Sequence, residues 1–182
     1  VSARSASSWS RAPAAARALL GLFDLIYAQD LETRAWIEAH DAHVSGQLDL
    51  KRLADPLPHD PAALALLKRQ IGGRRTLLAA STHPGEEVLV ADALAGAGTS
   101  PLLLVVPRHP ERGPEVAELL ADRGLAVARR SLGEAPGAEI QAYVADTLGE
   151  LGLFYRLAGA VVLGGSLVAG LTGHNPLEPA RL

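Results

Sequence analysis

The sequence predicts an α/β fold over residues 62–182, a mostly parallel sheet with helices on both faces. Three observations carry this. Apolar runs of strand length recur at 76–80, 101–106, 126–129, 140–145 and 159–163. The stretches between them carry leucine, valine and alanine at helical spacing, and glycines, prolines and N-cap residues mark the joints. Strand and helix in strict alternation is the pattern of a parallel sheet joined by helical crossovers.

Composition sets the outer limits. The chain has 182 residues, 48% of them hydrophobic and 20% charged, which suits a globular chain able to bury a core. A net charge of −3 and the lack of any lysine- or arginine-rich block give no argument for nucleic acid as a partner. There is no cysteine, so disulfides and thiolate chemistry are excluded. The longest apolar runs are too short to span a bilayer as a helix.

Residues 1–11 are serine-rich and read as a loop or frayed end; with no initiator Met and no leader pattern, the chain is expected to begin inside a longer protein. Residues 13–22 read as a short helix ending near Gly21, 23–28 as a strand, 30–39 as a helix with Asp30 at its N-cap, and 42–48 as a strand. Two strands are too few to bury both faces of a parallel sheet, so 1–50 reads as the tail of an N-terminal domain. Pro56, Pro58 and Pro61 stiffen a linker over 51–61.

From Ala62 a helix presents Leu64, Leu66, Leu67 and Ile71 on one side and stops at Gly72-Gly73. The strand at 76–80 runs into Ser81-Thr82-His83-Pro84-Gly85-Glu86-Glu87, whose single glycine is not a dinucleotide fingerprint, and a helix follows from Glu86 to about Leu94. The strand 101–106 delivers Pro107-Arg108-His109. A guanidinium at the carboxyl end of a buried parallel strand is placed to meet phosphate; equally, Arg108 can be a plain surface charge and His109 a polar loop residue. A helix at 114–123 closes at Gly124, the strand 126–129 follows, and Arg129-Arg130 reads as a solvated pair. After the loop 133–137 and the strand 140–145, Asp146 is the candidate N-cap of a helix over 148–157, with Glu150 in its first turn.

The last strand, 159–163, ends in Gly164-Gly165-Ser166, and Gly173-His174-Asn175-Pro176-Leu177-Glu178-Pro179 lies a short loop further on. Asn175 fits an N-cap, Pro176 the first helical position and Glu178 the first turn. Strand, glycine turn and helix start then form an anion site, with backbone N–H groups and a helix dipole facing one point. The plain alternative is a connection that caps a helix and binds nothing.

Four blocks carry a specific resemblance: Ala80 to Glu87, Val106 to Arg112, Asp146 to Tyr155, and GGS with GHNPLEPA. In order and spacing they resemble the Kdo transferases, which move 3-deoxy-D-manno-octulosonic acid from CMP-Kdo onto lipid A precursors such as lipid IVA. The resemblance implies a GT-B glycosyltransferase, of which 62–182 is the Rossmann-like donor-nucleotide half, C-terminally incomplete, and 1–50 closes the acceptor-side domain. It implies an inverting transfer with no metal and no cofactor. Gly165, Ser166 and Asn175 would hold the phosphate with Arg108 adding charge, and Glu178 would take the ribose hydroxyls. Pro107, Arg108, Leu148 and Gly149 would border the base, with His109 and Glu150 beside them.

The family's catalytic base is a glutamate near the start of the N-terminal domain, outside this chain, so no catalytic residue is expected here and the chain alone is expected to bind nucleotide without transferring sugar. The resemblance also places the protein at the cytoplasmic face of the inner membrane of a Gram-negative bacterium, touching it through the absent N-terminal part. Exposed edges would favour association with another copy. This chain departs from the family at Gly46-Gln47-Leu48-Asp49, where a Gly-Asn-Leu-Lys run is usual; Lys51 is near enough to substitute in part. Two rivals stand beside this reading. Another GT-B enzyme, a UDP-sugar transferase or epimerase, would prefer uridine over cytidine nucleotides, and a non-catalytic interaction module would bind neither.

Overall fold

A computed structural model describes residues 3–49, 55–98, 100–171 and 173–182. The chain divides into two compact units, Val1–Asp55 and Pro56–Leu182.

In the smaller unit, α1 (Ala3–Trp9) stands where a loop is expected. Its stretch has neither glycine nor proline, and alanine with arginine is enough to support a short helix. α2 (Pro13–Leu20) starts on its proline and ends at Gly21. The strands are reduced to β1 (Tyr27–Ala28) and β2 (Gly46–Gln47), paired in parallel. A ladder extends only as far as its partner, and flanking residues such as Phe23 and Leu25 stay exposed. Between the strands, α3 (Leu31–Glu38) is capped as expected, Asp30 Oδ1 accepting from the Thr33 N–H at 2.7 Å. Ala28, Ile37 and Val44 form a small core. Gln47 donates weakly to the Gln29 carbonyl at 3.5 Å. Lys51, with the first part of the 51–61 stretch, lies outside the described residues.

The larger unit carries the predicted α/β fold. α4 (Pro61–Ile71) is capped by Asp60, whose Oδ1 accepts from the Ala62 N–H at 2.8 Å, and ends at the left-handed Gly72. Leu67 and Ile71 are buried, but Leu66 turns to solvent because it lies one position off that stripe. Then follow β3 (Thr76–Thr82), α5 (Glu86–Gly96), β4 (Leu102–Pro107), α6 (Gly113–Ala121), β5 (Val127–Arg129), β6 (Ala142–Val144), α7 (Leu151–Tyr155) and β7 (Ala160–Leu163). All pairings are parallel, in the order β5-β6-β4-β3-β7.

Alternation along the strands builds two cores. Leu78, Ala80, Leu104 and Tyr143 join Leu67 of α4 and Phe154 of α7, while Ala79, Leu103, Val105 and Val144 join Val90 of α5 and Leu120 of α6. β4 is buried along its whole length, as a central strand covered by helices on both faces must be. The chain leaves β3 toward β4 on one side and returns from β6 to β7 on the other. In open parallel sheets, ligands bind at the carboxyl ends of strands beside such a reversal.

Two expected helices differ. The one after β6 begins at Leu151 rather than Leu148. Beyond Asn175 there is a turn and a three-residue 3-10 segment, Pro179–Arg181, in place of a helix beginning at Pro176.

Candidate functional site

The carboxyl ends of β3 and β7 are joined by Glu86, the first residue of α5. Its carboxylate is fully buried. One oxygen accepts from the N–H groups of His83 at 2.9 Å and Gly165 at 2.8 Å. The other accepts from Ser166 at 3.2 Å and Leu167 at 3.0 Å. Burial pushes the acid up, but the amides of His83, Gly165 and Leu167, helped by the nearby His83 ring, outweigh it and hold the carboxyl below its ordinary value.

Both glycines of the turn have a structural reason. A side chain on Gly164 would overlap the Ser81 carbonyl, where the two strand ends touch, and Gly165 has φ +75°. So the amides of Gly165 and Ser166 do converge on one point, as expected of an anion site, and the anion there is the protein's own.

The loop after this turn folds back on the same edge. His174 Nε2 lies 3.2 Å from His83 Nε2, the rings nearly parallel at 5.4 Å. Asn175 caps a turn, Oδ1 accepting from the Leu177 N–H at 3.1 Å, so the expected cap forms without the expected helix. Glu178 is exposed. Its charge reaches the Tyr155 hydroxyl, which burial first and Glu178 second push up to about 12.

On the β4 and β6 side, Pro107 is buried while Arg108 and His109 are exposed. The Arg108 N–H bonds to the Thr82 carbonyl at 2.9 Å, tying the two strand ends together. Among the described residues its guanidinium has no hydrogen bond or ion pair. His109 faces Glu111 at 3.6 Å. Leu148 is 85% exposed and Gly149 sits at φ +80° beside it.

Glu150 is held by Arg130 through two bonds, at 2.7 and 3.1 Å, and also accepts from the Thr147 hydroxyl. Its carboxyl is lowered, by Arg130 first and against burial. Asp146 does not cap α7. It accepts from Arg129 at 2.7 and 3.0 Å and from the Ser131 N–H at 2.9 Å and hydroxyl at 2.8 Å. The Arg129-Arg130 pair is therefore structural rather than solvated, since each arginine meets an acid on the β6 loop.

Sequence reasoning missed Glu86, Glu87, Arg112 and Gly113. Glu87 is fully buried, its Oε1 accepting from Thr82 Oγ1 at 2.8 Å and Arg112 at 2.7 Å. A side chain at Gly113 would run into Asp146. The available signal was two consecutive acids opening a helix right after a strand, which dipole and cap arguments absorb without a tertiary partner.

No family model matches the chain. Over 124 residues it is 43% identical to the 3-deoxy-D-manno-octulosonic acid transferase of Haemophilus influenzae, covering 62% of this chain and 29% of that protein. The like-named protein of Rickettsia felis is 28% identical over 186 aligned positions, 99% of this chain and 39% of that one. The chain thus spans well under half the length of these relatives. Among solved structures it resembles the C-terminal CMP-Kdo binding domain of WaaA from Acinetobacter baumannii, with a TM-score of 0.58 and 41% identity, covering 65% of this chain and 64% of that one. Sequence identity and shared fold together make this chain a homologue of the 3-deoxy-D-manno-octulosonic acid transferases, which are glycosyltransferases.

Proposed function

We propose that the protein transfers Kdo from CMP-Kdo to a lipid A precursor, lipid IVA, in lipopolysaccharide biosynthesis, and that the unit Pro56–Leu182 supplies the donor-nucleotide site. The observation that carries this is the 41% identity to a domain described as binding CMP-Kdo. The exposed Arg108, without a side-chain partner among the described residues, would meet the donor phosphate, Asn175 and the loop around it would complete that contact, and Glu178 would accept from the ribose hydroxyls. Leu148 and Gly149 would border the base beside Pro107. The arrangement belongs to a GT-B enzyme in which the smaller unit is the end of the acceptor-side domain.

Transfer would invert the anomeric centre without a metal, the charge on departing CMP being met by fixed donors. The base would come from outside this chain. In support, Glu86, Asp146 and Glu150 accept internal hydrogen bonds on both carboxylate oxygens, which makes them poor acceptors for an incoming hydroxyl proton, and Glu87, paired with Arg112, is fully buried. This chain alone would bind nucleotide and not transfer sugar. The reaction would run at the cytoplasmic face of the inner membrane, with membrane contact made outside this chain.

Calorimetric titration with CMP, with UMP in parallel and an Asn175→Ala, Glu178→Ala variant as control, tests the reading. CMP binding that the variant loses is expected. A preference for UMP would move the protein to another GT-B activity, and a folded protein that binds neither nucleotide would remove the donor site from this unit.

A further inference from the structure

The three amides that make the glycine turn look like a phosphate cradle, those of Gly165, Ser166 and Leu167, are all engaged by Glu86, which also takes the His83 amide of the β3–α5 loop. That carboxylate has no exposed surface. The turn is anchored beside it, because the Gly164 N–H donates to the Ala80 carbonyl at 2.8 Å and Gly164 packs directly against the Ser81 backbone. A phosphodiester carries one negative charge, as a carboxylate does, and two like charges cannot share one set of donors in a buried site. Since buried N–H groups need an acceptor whether or not a ligand is present, an internal acid satisfies them permanently.

We infer that Glu86 is a resident anion of the glycine turn: it occupies the place a ligand phosphate would take at Gly165 and Ser166, and so sets the turn before the donor arrives. Glu86 is then a positioning residue, acting through the 164–167 turn and the His174 loop packed beside it. The donor phosphate is met by side chains, Arg108 first among them, and not by these amides. The inference rests on the donor reading for its functional consequence, but the occupancy of the turn can be read without any nucleotide.

The test uses the whole chain, labelled with nitrogen-15, as native protein, Glu86→Ala and Glu86→Gln. The amide signals of His83, Gly165, Ser166 and Leu167 are followed while formate, inorganic phosphate and CMP are added in separate titrations. In native protein these four amides are expected to ignore formate and phosphate. In Glu86→Ala, formate should move all four with one shared binding curve and raise the melting temperature. CMP affinity should fall at least tenfold in this variant and recover when formate is present, a ligand-dependent rescue that a merely destabilised fold would not show.

Native turn amides that answer to phosphate would overturn the inference, as would a folded Glu86→Ala protein whose four amides ignore formate. If Glu86→Ala does not fold, Glu86→Gln decides. Its amide can accept on one side only, so two of the four N–H groups should exchange with solvent at least tenfold faster, and unchanged exchange would overturn the inference. If native protein binds no CMP while the formate arm behaves as expected, the donor reading fails and the resident anion stands.

Discussion

The two halves of the sheet's carboxyl edge solve the same problem in opposite ways. On the β3–β7 side, a glycine turn gathers N–H groups and a buried carboxylate closes them. On the β4–β6 side, Arg108 and Leu148 project into solvent, with no ion pair on Arg108 among the described residues. The acids on that second side, Asp146 and Glu150, are paired with Arg129 and Arg130. The difference teaches that glycine-rich backbone marks the closed half, whose contacts are internal, while the open half that can receive a ligand is marked by an exposed arginine.

The contrast breaks most visibly where the closed half is opened. Gly164→Ala should destabilise the chain by roughly 2–4 kcal/mol in urea unfolding, because the added methyl overlaps the Ser81 carbonyl and two strand ends must separate. Gly165→Ala should cost about 1–2 kcal/mol through its positive φ, measured the same way. Arg130→Met should lose about 1–2 kcal/mol by freeing Glu150 from a two-point bond, and should weaken CMP binding if the Leu148-Gly149 loop then shifts.

Acid sharpens the comparison further. Glu86 is lowered from 4.5 in the folded chain, so its stabilisation is fully present above that unfolded value and lost as pH falls through the lower folded one. Asp146 and Glu150 act in the same sense. Melting temperature followed from pH 7 downward should hold until about pH 5 and then drop, and a Glu86→Gln protein should show a shallower drop. The smallest expected effect belongs to the open half: Arg108→Ala should change stability by less than about 0.5 kcal/mol, since the side chain removed is exposed and has no partner among the described residues, yet abolish most CMP binding by calorimetry. A large stability loss there would mean that Arg108 is structural and that the two halves are alike.

Much of the fold was legible because it rests on local patterns. Asp30 caps α3 as its type and place suggest, and the strands from β3 to β7 fall on the apolar runs, most fully in β4 and β6, which are buried on both faces and apolar throughout. Less of the site was legible. Asp146 satisfies the local rules for an N-cap, but it packs against the Gly113 backbone where Arg129 and Ser131 donate to it, and those donors outcompete a helix start. Arg129-Arg130 looked solvated because adjacent charges usually are, until β5 paired beside β6 and set both against acids. Leu66 failed for a simpler reason, lying off the stripe that Leu67 and Ile71 share.

By itself, then, the sequence determined the α/β class of residues 62–182, the strand ends to within about two residues, and, through its four blocks, kinship with the Kdo transferases. Those follow from periodicity, turn chemistry and residue identity, all readable along the chain. Which groups at the strand ends are satisfied and which are left for a ligand was decided only by tertiary structure. Glu86 and Gly165 are 79 positions apart, and a hydrogen bond of that separation exists only because the sheet order places β7 beside β3.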